Sequence, residues 1–284
     1  MKIASLSEFQ SSIHRGGYEW VSLQSFESGL ADLTDEAEMG QEVRCLAPAS
    51  NAIEKRVPIS KVYPGLFRKF ADLVVDEQKV KDFADSFGFL GLAHGVGFMP
   101  DSIPLALVSG ERLTDWQREA AEMKDTVDLF EAARRKDTER LKSRVRWDGR
   151  WVEVHLHPEQ EPVAMEVAAP WDKAIRPGDL ETPALHVVQA KVNKKMKELG
   201  VVPQLVWGFD LRQLRLELQP PSLLAALWVQ LLNTINGDRH YLLCGGCKEW
   251  FEVHTQIRSN QLSCSEACRA KVYRMRKKER AKTS

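Results

Sequence analysis

The C-terminal part of the chain contains Cys244-Gly245-Gly246-Cys247, followed after sixteen residues by Cys264-Ser265-Glu266-Ala267-Cys268. These two short-spaced pairs use four of the five cysteines in a chain of 284 residues. Two such pairs supply four soft thiolates to a tetrahedron, which is the arrangement typical of a structural Zn²⁺ site. The sequence therefore predicts one zinc ion held by Cys244, Cys247, Cys264 and Cys268.

The residues around the two pairs assign each pair to a different element. Gly245 and Gly246 allow the chain to turn tightly beneath a metal. Ser263 and Glu266 have the spacing of a capping box, which predicts that a helix begins at the second pair. Knuckle, hairpin and helix in this order predict a treble-clef finger over residues 241–284.

Two other uses of the cysteines compete with zinc, namely a pair of disulfides and an iron–sulfur cluster. Disulfides suit an oxidising compartment. The segment Met1–Gln10 does not resemble a charged region followed by an apolar signal core, which favours a cytoplasmic protein with reduced thiols. No cluster signature accompanies the cysteines, so zinc is the favoured ligand.

Several residues of this region resemble a known family. Trp250-Phe251 follows the first cysteine pair, Arg258 lies in the connecting segment, Ser263 precedes the second pair, and Tyr273-Arg274-x-Arg276 lies beyond it. This pattern resembles the CGNR-type treble-clef fingers found at the C-termini of bacterial proteins, although the naming tetrad is absent because Arg269-Ala-Lys follows Cys268. The resemblance implies a role in transcription regulation.

The charge of the chain is divided unevenly along its length. The totals are 40 Lys and Arg against 40 Asp and Glu. From Tyr241 to Ser284 there are ten basic and four acidic residues, so this segment carries plus six and the first 240 residues carry minus six. On a helix the basic residues form two stripes on opposite sides, which indicates an exposed helix.

Three interpretations of this basic helix remain open. It binds the phosphates of a nucleic acid, DNA rather than RNA; it binds an acidic protein partner or the acidic body of this chain; or its charges serve solubility and offset the metal thiolates. The first interpretation is favoured because the basic residues adjoin a finger of a type that binds nucleic acids. The predicted contact residues are Arg269, Lys271, Arg274, Arg276, Lys277, Lys278 and Arg280.

Residues 1–240 are predicted to form a separate α+β body, mostly helical, with one or two small antiparallel sheets. Helical periodicity is expected around Phe67 and Phe83, over Thr114 to about Lys142, and after Thr182. The inner face of the segment that starts at Thr114 is expected to carry Trp116, Ala120, Met123, Val127 and Phe130. That of the helix after Thr182 is expected to carry Leu185, Val188, Val192, Met196 and Leu199. Thr114 and Gln117 form a second capping box.

An apolar helix that Ser222 caps is expected to be buried on all sides and to lead into the finger. The finger is then expected to dock against the body through the apolar side chains of Leu242, Leu243, Trp250 and Phe251.

Strands are predicted near Tyr18, Val43, Leu205 and Leu216. Asp148-Gly149 between two tryptophans is a strong hairpin signal. Val152, Val154 and Leu156 are then expected inside, and His155 and His157 on the solvent face, although two histidines so spaced can also bind a metal.

Other classes of function find less support in the sequence. No apolar segment approaches the ~20 residues that span a bilayer, so no membrane anchor is predicted. Nuclease chemistry on a treble clef needs a histidine base, and the nearby candidates His240 and His254 lack a partner in the helix. Cys45 is interpreted as a small buried apolar residue. The leading hypothesis is a zinc-dependent nucleic-acid-binding regulator, and a protein–protein adaptor is the alternative.

Overall fold

The computed structural model describes twelve stretches of the chain. They are residues 10–24, 42–49, 53–59, 63, 65–92, 96–98, 107–157, 159–167, 176–208, 213–237, 240–253 and 263–283. Helices and strands are mixed along these stretches, so the fold is α+β.

Seven helices lie in the described residues. They are α1 (Leu66–Ala71), α2 (Glu77–Phe87), α3 (Leu113–Arg134), α4 (Thr138–Lys142), α5 (Glu181–Glu198), α6 (Leu223–Asn236) and α7 (Glu266–Thr283). The strands are β1 (Gln10–Arg15), β2 (Tyr18–Gln24), β3 (Glu42–Pro48), β4 (Ile53–Pro58), β5 (Val96–Phe98), β6 (Leu107–Ser109), β7 (Glu111–Arg112), β8 (Val145–Asp148), β9 (Trp151–Val154), β10 (Val163–Glu166), β11 (Val202–Gly208), β12 (Gln213–Gln219), β13 (His240–Leu243) and β14 (Trp250–Val253).

The strands form six small antiparallel sheets in the described residues. Two sheets have three strands, in the orders β2-β3-β7 and β10-β9-β8. Four are two-stranded, pairing β1 with β4, β5 with β6, β11 with β12 and β13 with β14. The predicted α+β fold with small antiparallel sheets is confirmed. Its details differ, because five sheets instead of one or two precede β13, and helices make up less than half of the described residues. Short pairs such as β5–β6 carry too little alternation to be visible in sequence.

Helix α6 lies at the centre of the core. Leu224, Leu227 and Trp228 have no exposed surface, because helices α1 and α5 pack against α6. Ser222 caps the helix, and its Oγ accepts a hydrogen bond from the Ala225 N–H at 3.2 Å. The prediction of a capped, buried apolar helix is confirmed.

Helix α3 differs from its prediction at both ends. The predicted apolar residues are buried, among them Trp116 and Met123. The helix begins at Leu113 without a side-chain cap, so Thr114 does not form the predicted capping box. Strand β7 ends directly before the helix and fixes its start. The helix ends at Arg134, and Lys136 adopts a left-handed φ of 55° before α4 begins.

The predicted hairpin around Asp148-Gly149 is present. Asp148 pairs with Trp151, and Gly149 takes the positive φ of 56° that this turn requires. Val152 and Val154 are fully buried and Leu156 is 9% exposed, as predicted. The inward face of α5 is less regular, because Leu185 is 41% exposed instead of buried.

Charged residues are buried along α3, whereas the prediction for its inner face named only apolar residues. Lys195 of α5 lies 2.8 Å from Glu119 and 2.6 Å from Glu122. Arg68 of α1 pairs with Glu131, which also binds Arg134. Opposite charges therefore tie both α1 and α5 to α3.

Within the described residues, no helix is both long enough and apolar enough to cross a lipid bilayer.

Candidate metal centre and basic helix

The four predicted ligands lie together in the structure. The sulfur atoms of Cys244, Cys247, Cys264 and Cys268 all lie within 4.8 Å of one another. The Sγ atom of Cys264 lies 3.6 Å from those of Cys247 and Cys268. Of the described residues, only these four form a cluster of three or more potential metal ligands.

The first cysteine pair lies in the turn between β13 and β14. The Lys248 N–H donates to the Cys244 carbonyl at 2.9 Å, and the Cys244 N–H donates to the Glu249 carbonyl at 2.9 Å. Lys248 takes a left-handed φ of 63° to close this turn. Gly246 faces the second cysteine pair, since a Cβ atom there would lie 2.9 Å from the Cys268 carbonyl oxygen. The turn therefore needs glycine at this position.

The second cysteine pair lies at the start of α7. Ser265 caps the helix, because its Oγ accepts a hydrogen bond from the Cys268 N–H at 3.3 Å. The predicted cap was Ser263, two residues earlier, and that residue is instead buried beside the cysteines. The helix begins at Glu266 and not before. Cys268 thus lies in the first helical turn, where the helix dipole favours a negative charge.

Backbone N–H groups point at the buried sulfur of Cys244. Gly246 N and Cys264 N each lie 3.4 Å from it. Burial opposes ionisation of this thiol, but the N–H groups of Cys247, Cys264 and Gly246 outweigh burial and lower its pKa from 9.0 to about 6. Burial and the neighbouring thiols of Cys268, Cys244 and Cys247 raise the pKa of Cys264. Four thiolates this close repel one another, so a cation is needed to hold all four ionised.

The sulfur positions fit a tetrahedral metal ion. A Zn–S bond of about 2.3 Å places neighbouring sulfurs about 3.8 Å apart, close to the 3.6 Å between Cys264 and its two neighbours. A disulfide would need sulfurs about 2.05 Å apart, and all five cysteines are free thiols. The site can hold a metal ion, and it does not form the disulfides of the competing interpretation.

The hairpin that carries Cys244 and Cys247 packs on helix α1. Tyr241 is 3% exposed and meets Phe67 edge-on, with ring centroids 5.5 Å apart. The Trp250 indole N–H donates to Asp72 Oδ2 at 3.0 Å, and its ring lies 5.0 Å from the Arg68 guanidinium. Docking through Trp250 was predicted from its apolar side chain.

Two other residues change the predicted docking surface. Leu243 is 49% exposed and takes no part in it. Tyr241 was not predicted, and Gly65 explains its position, because a Cβ atom there would lie 2.7 Å from the tyrosine ring. A glycine just before a helix was the only sequence signal for this contact.

Helix α7 presents its basic side chains to solvent. Arg269, Lys271, Arg274, Arg276 and Lys277 are all exposed, and the helix backbone continues through Lys278 and Arg280. Tyr273 is also 69% exposed. In the part of α7 whose side chains are described, no basic residue pairs with an acid of the body. The described part of the body therefore does not cover this part of the helix.

Of the other candidate residues, His155, His157 and Cys45 are described and do not belong to the cysteine cluster. His155 and His157 follow the end of β9 and contact backbone atoms of Gln160 and Glu159 respectively. Cys45 is 1% exposed, as predicted for a buried apolar residue. His254 and Arg258 lie outside the described residues, and His240 is described only as part of the β13 backbone.

No protein-family model matches this chain, and no curated protein or solved structure matches it either.

Proposed function

We propose that this protein is a zinc-dependent nucleic-acid-binding protein that acts in transcription regulation. The observation that carries the proposal is the exposed basic helix α7, which begins at the cysteine site and presents five described Lys and Arg side chains to solvent. An exposed row of cations attached to a rigid base is the feature that phosphate binding requires.

Zn²⁺ is the metal that the donor set favours. Cys244, Cys247, Cys264 and Cys268 would hold it with four sulfurs, leaving no open position for a substrate, so its role is structural. The ion would fix the start of α7 against the β13–β14 turn and so orient the basic helix. We assign residues 241–284 to a treble-clef finger and residues 1–240 to the body. Reduced thiolates fit a cytoplasmic protein.

DNA is the proposed ligand in preference to RNA. A helix with exposed arginines can enter the major groove of B-DNA, whereas the major groove of A-form RNA is too narrow for side chains to read. Arg274 or Arg276 would contact a base edge, since each lies about two turns beyond Cys268 and the two residues project from different sides of the helix. The other basic residues would contact phosphates.

The proposal is tested by titrating a labelled DNA duplex, single-stranded DNA and RNA with the full chain at two salt concentrations. Reversing Arg269, Arg274 and Arg276 to Glu should abolish binding without loss of metal. Each lost phosphate contact should reduce the salt slope by about 0.9 on duplex DNA, or about 0.7 on single strands.

A matched control carries the same change in net charge elsewhere. Lys55, Arg56 and Arg146 are exposed residues of the body, and their reversal to Glu should leave the affinity nearly unchanged. Equal loss in both triple variants would mean that only the overall charge matters. A wild-type protein that binds none of the three ligands below about 10⁻⁴ M at physiological salt would refute the proposal and favour the adaptor.

A further inference from the structure

The β11–β12 hairpin has one face made only of apolar residues. The cross-strand pairs Pro203–Leu218, Leu205–Leu216 and Trp207–Leu214 lie on the same side of the sheet. The opposite side mixes Val202 and Val206 with Gln204 and Glu217. Apolar residues at every second position of both strands are the pattern of a strand pair that buries one face.

The apolar face is nevertheless exposed. The exposed fractions are 70% for Leu205, 49% for Trp207, 61% for Leu214 and 36% for Leu216. Among the described elements, β11 and β12 pack extensively only against each other. A two-stranded hairpin is marginally stable alone and needs a covering layer. The alternation and the exposure together indicate that something outside the described chain covers this face.

We propose that the apolar face of β11–β12 is a dimerisation surface and that a second copy of this chain covers it. With about 150–250 Å² for a large side chain, the face leaves on the order of 500 Å² of apolar surface uncovered. Two copies would then bury about 1,000 Å² in total, the lower limit for a specific interface.

Charge and shape also suit a second copy. The six residues of the face carry no charge, so two identical faces meet without like-charge repulsion. Consider a two-fold axis that lies between the two faces and runs along the line from Leu205 to Leu216. It reverses the strand direction of the second copy and places Trp207 of one copy over Pro203 of the other. The largest side chain of the face then meets a small one, as sheet-on-sheet packing at about 10 Å requires.

The test is sedimentation of the full chain from about 1 to 200 µM in the absence of nucleic acid, a range that suits a weak interface. The wild type should show a monomer–dimer equilibrium. Leu205→Thr combined with Trp207→Thr keeps strand propensity and should weaken the dimer at least tenfold. The matched control, Gln204→Thr with Val206→Thr on the opposite side of the same strand, should dimerise like the wild type.

The following results would count against the proposal. A wild type that stays monomeric over the whole range, or a dimer that persists in the Leu205 and Trp207 variant, overturns it. A monomer that co-sediments with phosphatidylcholine vesicles through these residues would assign the face to a lipid surface instead. If the double variant does not fold, Leu205→Lys alone takes its place, since this residue is 70% exposed. This experiment does not use the metal or the basic helix, so its result is independent of the proposed function.

Discussion

At the scale of single residues, the cysteine site depends on a close approach that only glycine permits. Gly246 lies against the first turn of α7, where a Cβ atom would be 2.9 Å from the Cys268 carbonyl oxygen and 3.0 Å from its Cβ. Both contacts are with atoms that cannot rotate away. A side chain at this position must therefore separate the two cysteine pairs.

We expect Gly246→Ala to weaken metal binding by about tenfold or more, since such overpacking typically costs about 1–3 kcal/mol. Competition with a chromophoric chelator measures the affinity. Lys248→Gly in the same turn is the control, because glycine relieves the left-handed φ of 63° but adds unfolded-chain entropy. The control should bind metal about as well as the wild type. Equal affinities in all three proteins would contradict the geometry.

The body contains a buried carboxylate, Glu111, whose surroundings shift its pKa. Glu111 is 2% exposed and accepts hydrogen bonds from the backbone N–H groups of Leu90, Gly91 and Leu92 at 3.1, 2.6 and 2.9 Å. Burial raises its pKa from 4.5 to about 6, against the lowering effect of these N–H groups. The folded protein therefore holds this proton to a higher pH than the unfolded chain.

Stability should depend on pH through this residue. Because the folded pKa is raised, protonated Glu111 contributes fully to the free energy of unfolding below about pH 4.5. This contribution of about 2 kcal/mol is lost as the pH rises through about 6. The free energy of unfolding of the wild type minus that of Glu111→Gln should fall by this amount from pH 4 to pH 7. The metal site contributes equally to the stability of both proteins, so its contribution cancels in this difference. A difference that does not change with pH would disprove the assignment.

At the scale of elements, the β13–β14 hairpin and α1 are joined through one buried cation. Arg68 is 5% exposed, pairs with Glu131 of α3 and lies over the rings of Phe67, Tyr241 and Trp250 at 5.4, 5.9 and 5.0 Å. A cation enclosed in this way connects three elements at once. By contrast, the nearby pair of Lys69 and Glu249 is exposed.

Arg68→Ala should destabilise the protein by about 3 kcal/mol, because it leaves a buried carboxylate with fewer partners and empties a packed site. Lys69→Ala should cost less than about 1 kcal/mol, as is usual for exposed ion pairs. Chemical denaturation measures both values. Comparable losses in the two variants would show that the buried cation does not join the elements.

Sequence patterns predicted the elements whose signals are local. Three such signals depend only on residues a few positions apart and are present in the structure. They are the two cysteine pairs, the Asp148-Gly149 turn and the Ser222 cap. The missed features depend on partners far along the chain. Lys195 is buried only because Glu119 of another helix receives it, and periodicity cannot show such a pair. Similarly, strand β7 and not Thr114 sets the start of α3.

At the scale of the whole molecule, the cysteine site and the body are expected to differ in their dependence on metal. The core around α6 is built from apolar residues that need no ion. Among the described residues, the β13–β14 turn and the start of α7 lie against each other at the four sulfurs and at Gly246. In small modules of this kind the free energy of metal binding is the free energy of folding.

Removing the metal with a chelator should therefore unfold the finger and leave the body folded. Hydrogen exchange should become fast over 241–253 and 263–277, whereas α3 and α6 should stay protected. Adding Zn²⁺ back should restore protection. Uniform loss of protection across the chain would mean that the body also depends on the ion, contrary to the division at residue 240.

The most direct test of the account is the metal content of the full chain purified without chelators. We predict one Zn²⁺ per chain, bound by Cys244, Cys247, Cys264 and Cys268, and its loss in Cys247→Ser and Cys268→Ser but not in Cys45→Ser. Elemental analysis by mass spectrometry measures this ratio. A zinc content near zero in the wild type, or iron with visible charge-transfer absorbance, would contradict the zinc site on which the proposed function depends.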